Sequence, residues 1–390
     1  MAMKYLGISD NILKSSGAIN TAREIEQQPQ LWLKIFKNLS AEKNDLMIFM
    51  DHVCQDIDKI VLTGAGTSAY IGLSLVGTFF RSFGIITNAI ASTDIVTHPS
   101  DYLRQDERIL LISFARSGES PESLAVIRLA DKHSANCYHL IITCDSNGEL
   151  YNNITGKQKY CILLPSESND KSLAMTSSYS GMLLTGLLIS RIREIEKYQK
   201  QVENLVRYGE RILYQYLDKF REVAEMNFER AIFLGSGPLF GTATESHLKL
   251  QELTDGKVIC VNDTYLGFRH GPLAAINSSA IIIYLLSNNR NVSDYEKDLM
   301  KSVHDLRSGT FSIAIMESSP EGGNVPADLS VTFSDSDDIN VDEDFLTVCS
   351  ILPAQIIGFF KSRNFGLSPD SPSQRGAIHR IVQGVKIYNT

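Results

Sequence analysis

A strand, a glycine turn and a helix follow one another at two places in the chain, and this repeat restricts the fold more than any other feature. The apolar run Lys59–Thr63 leads into Gly64-Ala65-Gly66, and Arg230–Leu234 leads into Gly235-Ser236-Gly237 about 170 residues later. Short apolar runs that end in glycine turns are typical of buried strands. The economical interpretation is two copies of one α/β fold.

Strands and helices alternate in both halves of the chain. In the first half, further strands are predicted at Asn88–Ser92, Arg108–Ile112, Tyr138–Cys144 and Tyr160–Pro165, and helices to Phe80, from Pro121 to about Lys132 and to about Ile195. In the second half, strands are predicted at Val258–Val261, Ala280–Leu286, Phe311–Ile315 and Leu329–Phe333, and helices at about Gly241–Leu253 and Phe345–Lys361. This alternation predicts the α/β class, with two tandem doubly wound parallel sheets that helices cover on both faces.

The same elements define the expected domains. They are a helical amino-terminal arm (1–45), a first α/β domain (46–200), linker helices (201–228), a second α/β domain (229–365) and a turn-rich carboxyl-terminal tail (366–390). The single tryptophan, Trp32, is expected to pack the arm against another domain or subunit.

The turn after the strand that begins at Arg108 is a candidate anion site. It reads Arg116-Ser117-Gly118-Glu119-Ser120, and Pro121 starts the next helix. Hydroxyls and backbone N–H groups at a helix start suit a phosphate dianion, and Arg116 can add a charge-assisted bond. An ordinary βα loop with serine caps explains these residues equally well. The second copy has Ser287-Asn288-Asn289-Arg290 at this place, so only the first copy is predicted to bind the anion.

The first glycine turn allows two kinds of ligand. Gly64-Ala65-Gly66-Thr67-Ser68-Ala69 fits the dinucleotide-binding pattern, which makes a nicotinamide dehydrogenase the runner-up. The acidic residue Asp94, however, follows about 30 residues later rather than about 20. The hydroxyls of Thr67 and Ser68 suit a small phosphate monoester better than a pyrophosphate. We therefore predict that Gly66, Thr67 and Ser68 bind a sugar phosphate, without a cofactor.

Three charged residues share one face of a predicted helix in the second copy. Glu245, Lys249 and Glu252 stand at i, i+4 and i+7, with the lysine between two carboxylates. Such spacing more often marks a surface ladder of ion pairs. The leucines of this helix indicate burial instead, and a buried carboxylate beside a lysine can relay a proton between adjacent sugar carbons.

Soon after this helix, Gly267-Phe268-Arg269-His270-Gly271-Pro272 places an arginine and a histidine in a tight loop. A histidine in a turn is more often structural, but glycine-flanked loops commonly carry function. No group of histidine, cysteine and acidic residues has the spacing of a metal site, so no metal is expected.

The composition bears on partners and location. The net charge of −8 argues against nucleic acid, although a local pocket on an acidic protein can still attract an anion. The amino terminus lacks the apolar core of a signal peptide, and the longest apolar run, 181–190, is shorter than the roughly 20 residues that span a bilayer. The six cysteines form no C-x-x-C pair. We therefore expect free thiols, no membrane contact and a cytoplasmic location.

Five segments together carry a family resemblance: Leu62–Ala69, Ser113–Gly118, Ala174–Ser178, Gly267–Pro272 and Val382–Val385. In this combination the chain resembles the sugar isomerase (SIS) domain proteins, which have flavodoxin-like domains. It is most similar to the tagatose-6-phosphate ketose/aldose isomerases, also described as galactosamine-6-phosphate deaminases.

The resemblance implies roles for individual residues. A phosphosugar would be held by Thr67, Ser68, Ser117 and Ser120. Glu252 would move a proton between C1 and C2, and His270 would assist ring opening. Further substrate contacts are expected from Gly66, Arg116, Gly118, Thr176, Glu245, Lys249, Arg269, His379 and Arg380.

The resemblance also bears on assembly and on covalent chemistry. The histidine loop is contributed by a neighbouring subunit in this superfamily, so at least a homodimer is implied. In the related glucosamine-6-phosphate synthase, a lysine near the carboxyl terminus forms a Schiff base. The corresponding stretch here, Gly376–Ile381, has His379 and Arg380 and no lysine, which disfavours that route.

On this basis the expected substrate is a hexose or hexosamine 6-phosphate. Conversion of galactosamine 6-phosphate to tagatose 6-phosphate and ammonia is the favoured reaction. A simple aldose–ketose isomerase is the alternative, and so is a sensor of phosphosugars without activity. Regulators in this superfamily usually carry a helix-turn-helix domain, and the amino-terminal arm has no basic recognition helix.

Overall fold

The computed structural model describes residues 3–152, 158–306, 308–318, 325–334, 340–382 and 384–388. Gln383, in one of the five resemblance segments, lies outside these residues. The chain forms two compact units. The first unit comprises Gln30–Lys171, Met175–Val202 and Ile378–Thr390, and the second comprises Met1–Pro29, Ser172–Ala174 and Glu203–Ala377. Each predicted domain was one continuous stretch of chain, whereas each of these units combines several stretches. The predicted boundaries stay predictions.

The described residues contain the following regular elements. The strands are β1 (Lys4–Tyr5), β2 (Ile8–Ser9), β3 (Lys59–Thr63), β4 (Ile86–Ala89), β5 (Arg108–Ala115), β6 (Asn136–Thr143), β7 (Lys159–Leu163), β8 (Arg230–Leu234), β9 (Ile259–Asp263), β10 (Ala280–Leu285), β11 (Phe311–Met316) and β12 (Leu329–Thr332). The α-helices are α1 (Asp10–Ser15), α2 (Ile19–Glu26), α3 (Gln28–Ala41), α4 (Lys43–Cys54), α5 (Thr67–Phe83), α6 (Ser92–Thr97), α7 (Pro99–Tyr102), α8 (Pro121–His133), α9 (Glu149–Asn152), α10 (Ser177–Ser190), α11 (Gln199–Gln215), α12 (Leu217–Glu225), α13 (Pro238–Leu253), α14 (Tyr265–Phe268), α15 (Arg290–Asp305), α16 (Glu343–Cys349) and α17 (Leu352–Asn364).

Each unit contains one five-stranded parallel sheet, and the two sheets have the same strand order. The first sheet runs β4-β3-β5-β6-β7 and the second runs β9-β8-β10-β11-β12. Counted along each sheet's own chain, both orders are 2-1-3-4-5, the doubly wound flavodoxin-like arrangement. The prediction of two copies of one parallel α/β fold is confirmed. In such sheets, ligands bind at the carboxyl ends of the strands where the winding direction reverses. These places follow β3 and β5 in the first unit, and β8 and β10 in the second.

Helices cover both faces of the first sheet. On one face, alternate strand residues such as Val61 and Leu111 form a buried cluster with Ile95 of α6 and Val126 of α8. On the other face, α10 packs against α5, and every residue of α10 is buried. Burial on both faces explains why these strands are almost continuously apolar.

Several element bounds differ from the sequence predictions. The strand expected at Asn88–Ser92 is β4, which ends at Ala89 because Ser92 already begins α6. The long helix expected to reach about Ile195 ends at Ser190, and a 3-10 segment follows at Ile192–Tyr198. Helix α13 begins at Pro238, three residues earlier than expected, because proline at a first helical position needs no N–H partner.

Trp32 is fully buried within the first unit. Its indole N–H donates to the Ser180 hydroxyl of α10 at 2.9 Å, so it attaches α3 to the helical layer of the first sheet. The six cysteines are free thiols. The segment Glu343–Asn364 is long and apolar enough to cross a membrane by composition, but its apolar window is fully buried in the structure, as in the core helix of a globular domain.

Candidate active site

The turn from β5 into α8 presents several polar groups at the carboxyl end of the first sheet. Gly118 has a φ of +67°, which a residue with a side chain rarely adopts, and its carbonyl accepts the Leu150 N–H at 3.2 Å. The Ser117 hydroxyl accepts the Glu119 N–H at 3.3 Å. Ser120 caps α8 by accepting the Ser123 N–H at 3.2 Å. Ser120 is therefore a helix cap, and its hydroxyl also shares a hydrogen bond of 2.7 Å with the Ser123 hydroxyl. It can donate to an anion when Ser123 is the donor of that bond, and the Ser117 hydroxyl keeps its proton for the same purpose.

The glycine turn after β3 lies beside this loop, because β3 and β5 are neighbours. Gly66 has φ +56° and ψ −126° and precedes α5. A side chain at Gly64 would lie 2.6 Å from the Ser68 side chain, so the turn closes only with glycine there. Thr67 and Ser68 are each 5% exposed and form the first turn of α5. The residues predicted to bind phosphate from both turns thus lie at the end of adjacent strands.

A network in the first unit joins the carboxyl-terminal tail to residues 116–120 between β5 and α8, the predicted phosphate loop. The buried Arg116 guanidinium donates to the carbonyl oxygen of Arg380. The Arg380 side chain donates to the Asp170 carbonyl at 2.7 Å and to the Asn169 side-chain oxygen at 2.6 Å. Two predicted site residues, 264 positions apart, are therefore brought together. His379 lies exposed next to them.

Sequence analysis did not identify Asp170, although an aspartate just before a serine-rich helix start is a pattern typical of helix capping. Its buried carboxylate accepts the backbone N–H groups of Thr176, Ser177 and Ser178 at 2.7–3.1 Å. It also accepts the Thr176 hydroxyl at 3.2 Å and the Ser178 hydroxyl at 2.5 Å. A carboxylate at the amino end of α10 satisfies its N–H groups and its dipole. Thr176 is fully buried on Asp170, and its contact with substrate stays a prediction.

In the second unit, the charged ladder of α13 is buried rather than on the surface. Glu245 and Lys249 are fully buried, while the Glu252 side chain is 22% exposed. The Lys249 ammonium lies 2.5 Å from a Glu252 carboxylate oxygen and 3.3 Å from one of Glu245. Burial alone would lower the pKa of Lys249, but the two carboxylates raise it above its ordinary value. A charged lysine therefore fixes Glu252, whose partly exposed carboxylate can reach a ligand.

The histidine loop is anchored by Phe268, which is fully buried, while the side chains of Arg269 and His270 are exposed. Thr264 caps α14 by accepting the Gly267 N–H at 3.0 Å, and Arg269 donates to the Ser302 hydroxyl at 3.3 Å. The His270 side chain is exposed, and the backbone N–H of His270 donates to the Gly267 carbonyl. Among the residues that the structure describes, no hydrogen bond or ion pair joins His270 to Glu252.

In the second unit, the donors of the loop that corresponds to the predicted phosphate loop are bonded to glutamate side chains of the protein itself. Ser287 follows β10 as Ser117 follows β5, and it accepts the Asn289 N–H at 3.0 Å. Its N–H donates to Glu296 at 2.9 Å and its hydroxyl donates to Glu343. The Asn288 amide donates to Glu317 at 2.7 Å. Burial raises the pKa of Glu296 to about 8.

One group of described residues has the donor types of a metal site. Ligand atoms of Asp131, Cys137 and His139 lie within 4.8 Å of one another, and His139 Nε2 is 2.7 Å from Asp131. These residues belong to α8 and β6 and lie outside the loops described above. The imidazole is already bound by the carboxylate, so the group is explained as an ordinary hydrogen bond beside a buried thiol.

Comparison with known proteins identifies the family and the fold. The SIS domain family matches residues 55–190. A D-galactosamine-6-phosphate deaminase AgaS from Shewanella sp. (strain ANA-3) is 36% identical over 98% of this chain and 95% of its own length. A candidate tagatose-6-phosphate ketose/aldose isomerase from Clostridium novyi NT superposes with a TM-score of 0.95 and 37% identity, covering all of both chains. The tagatose-6-phosphate ketose/aldose isomerase of Escherichia coli superposes with a TM-score of 0.86 and 32% identity, over 95% and 96% of the two chains.

Proposed function

Because the chain belongs to the SIS-domain family of galactosamine-6-phosphate deaminases and tagatose-6-phosphate ketose/aldose isomerases, it is a phosphosugar enzyme, and we propose that it deaminates galactosamine 6-phosphate. The products are tagatose 6-phosphate and ammonia, and one water is consumed. The observation that carries this proposal is similarity along nearly the whole chain to a deaminase of that name, together with the buried Glu245–Lys249–Glu252 ladder.

The first unit holds the phosphate. The hydroxyls of Thr67, Ser68, Ser117 and Ser120 donate to its oxygens, and the amino end of α8 favours its negative charge. Arg116 stands beside this loop and adds positive charge. Its main-chain partner, Arg380, keeps the tail at the same place.

Glu252 moves the proton. After the ring opens, its carboxylate takes the proton from C2 of the amino aldose and returns it to C1. This leaves an imine at C2, which water converts to the ketone as ammonia leaves. Lys249 supports the step because its positive charge keeps the Glu252 carboxylate in place. With a sugar that has a hydroxyl at C2, the same relay gives aldose–ketose isomerisation.

His270 assists ring opening in a neighbouring subunit, so the working enzyme is at least a homodimer. This is supported by the exposure of His270 and by apolar side chains on the nearby strand β9 and helix α14. Ile259, Val261 and Leu266 are 58%, 38% and 51% exposed, which is typical of a surface that another protein covers. Free thiols agree with a reducing, cytoplasmic location.

A panel of assays tests the reaction. Galactosamine 6-phosphate and glucosamine 6-phosphate are followed by ammonia release, and the corresponding non-amino sugars by ketose formation. We expect ammonia release that is fastest with galactosamine 6-phosphate. Ketose formation without ammonia release would make the chain an isomerase, and phosphosugar binding without either product would make it a sensor.

A further inference from the structure

Four buried polar atoms without a hydrogen-bond partner belong to one region of the first unit. They are Thr63 Oγ1, Ser92 Oγ, Ser113 Oγ and Glu122 Oε2, and their residues are 1%, 0%, 3% and 9% exposed. Buried polar atoms are almost always paired, with protein or with ordered water. The carboxylate oxygen of Glu122 is the least expected of these, because burying part of a charged group without a partner is costly.

Register and periodicity bring the four side chains to the same face of the first sheet. Thr63 and Ser113 are direct partners on β3 and β5. They continue the alternation of Val61 and Leu111, which pack against α6 and α8. Ser92 begins α6, and its N–H donates to the Gly64 carbonyl at 2.8 Å. Glu122 lies one helical turn before Val126, on the side of α8 that faces the sheet.

The spacing suits a bridging molecule rather than direct bonds. Paired residues on neighbouring strands are about 4.8 Å apart. Two hydroxyls at roughly that separation are too far apart for a direct hydrogen bond, but one water reaches both. The hydroxyls can donate to a water, and the Glu122 carboxylate can accept from one.

We propose that Thr63, Ser92, Ser113 and Glu122 enclose a small cluster of ordered water beneath the phosphate loop, and that Glu122 is a positioning residue for that loop. Glu122 belongs to the first turn of α8, two residues after Ser120. Its water-bridged carboxylate holds this turn against the sheet. The Ser120 hydroxyl and the N–H groups at the helix start are thereby kept in place for the phosphate. The positioning role rests on the proposed function, whereas the water cluster does not.

A crystal structure at about 1.5 Å resolution tests the water cluster directly. Density for at least one water with hydrogen bonds to two or more of the four oxygens supports the proposal. A dry region, with the four side chains bonded to one another or to other groups, overturns it. So does an ion with oxygen contacts of about 2.3–2.6 Å, because the region would then be a cation site.

Two variants of one residue test the positioning role. Glu122→Gln and Glu122→Leu both remove the negative charge, so any effect of that charge on phosphate affinity is common to both. Only the glutamine can keep the bonds to water. We expect the KM for galactosamine 6-phosphate to be about tenfold higher in the leucine variant, with kcat equal within a factor of two. Equal KM values in two folded variants overturn the role.

Two further variants keep the test decisive. Ser113→Ala removes one hydroxyl with little change of volume, and we expect it to raise KM about threefold. This variant decides the question if Glu122→Leu does not fold, and an unchanged KM contradicts the role. Ser74→Ala is the matched control, because Ser74 on α5 is also buried with an unpartnered hydroxyl but belongs to the opposite helical layer. It should leave KM unchanged. If the wild-type chain turns over neither amino sugar phosphates nor the corresponding non-amino sugars, the proposed function is refuted. The water cluster is tested separately by the crystal structure.

Discussion

The two sheets share a strand order and the geometry of one turn, but their loops differ in the hydrogen-bond donors that they offer to an anion. Gly66 and Gly237 begin their helices with nearly identical angles, φ +56° and +54°, both with ψ −126°. Ser117 and Ser287 each accept the N–H two residues later. In the first unit the loop keeps donors that a ligand can use. In the second unit the donors of Ser287 and Asn288 are bonded to Glu296, Glu343 and Glu317.

Under the proposed function, both copies keep the same scaffold but only the first binds the phosphate. In the second unit, the side chains of Glu296, Glu317 and Glu343 occupy the donors of this loop, so an anion cannot use them. The second unit has instead a buried lysine with two carboxylates on α13. Function in this chain follows the loops and one helix face, not the fold itself.

The largest expected effect comes from the feature that only the second unit has. Glu252→Gln should lower turnover about 1000-fold, because glutamine cannot take up a proton, while phosphosugar affinity changes little. Ammonia release and calorimetric binding measure the two quantities. Glu225→Gln, at an exposed position of α12, is the control. Turnover within tenfold of the wild type would remove Glu252 from the mechanism.

A smaller effect should separate the two loops. Ser117→Ala combined with Ser120→Ala should weaken phosphosugar binding about 100-fold, because two donors to a charged ligand are lost. Ser287→Ala removes the corresponding hydroxyl of the second unit and should leave affinity unchanged. It should only reduce the free energy of unfolding, by about 1–3 kcal/mol. Loss of affinity in the Ser287 variant would show that both loops bind phosphate.

The smallest expected effect concerns the pH dependence of stability. The pKa of Glu296 is raised to about 8 in the folded chain, so the folded state binds a proton that the unfolded state has released. Its contribution to stability is complete below about pH 4.5 and is lost as the pH rises through 8. Glu296→Gln stays neutral and should flatten the fall of Tm between pH 5 and 8. An equally steep fall in both proteins would contradict the raised pKa.

Local pattern was enough to predict most of the fold. Strands β3 and β8 have the predicted bounds, because a short apolar run that ends in glycine is decided by nearby residues. The face shared by Glu245, Lys249 and Glu252 followed from helical spacing alone. Elements without such a pattern, such as α6 and α15, were not predicted.

Local sequence was sufficient to predict the duplicated α/β fold, the position of both glycine turns, and the shared face and burial of three charges on α13, since these depend on neighbours a few residues apart. The packed structure was needed to show that Arg116 contacts Arg380, and that Glu296, Glu317 and Glu343 bind the donors of the second loop. These contacts join residues far apart in the chain. Their energies depend on how sheets and helices pack, which no local spacing encodes.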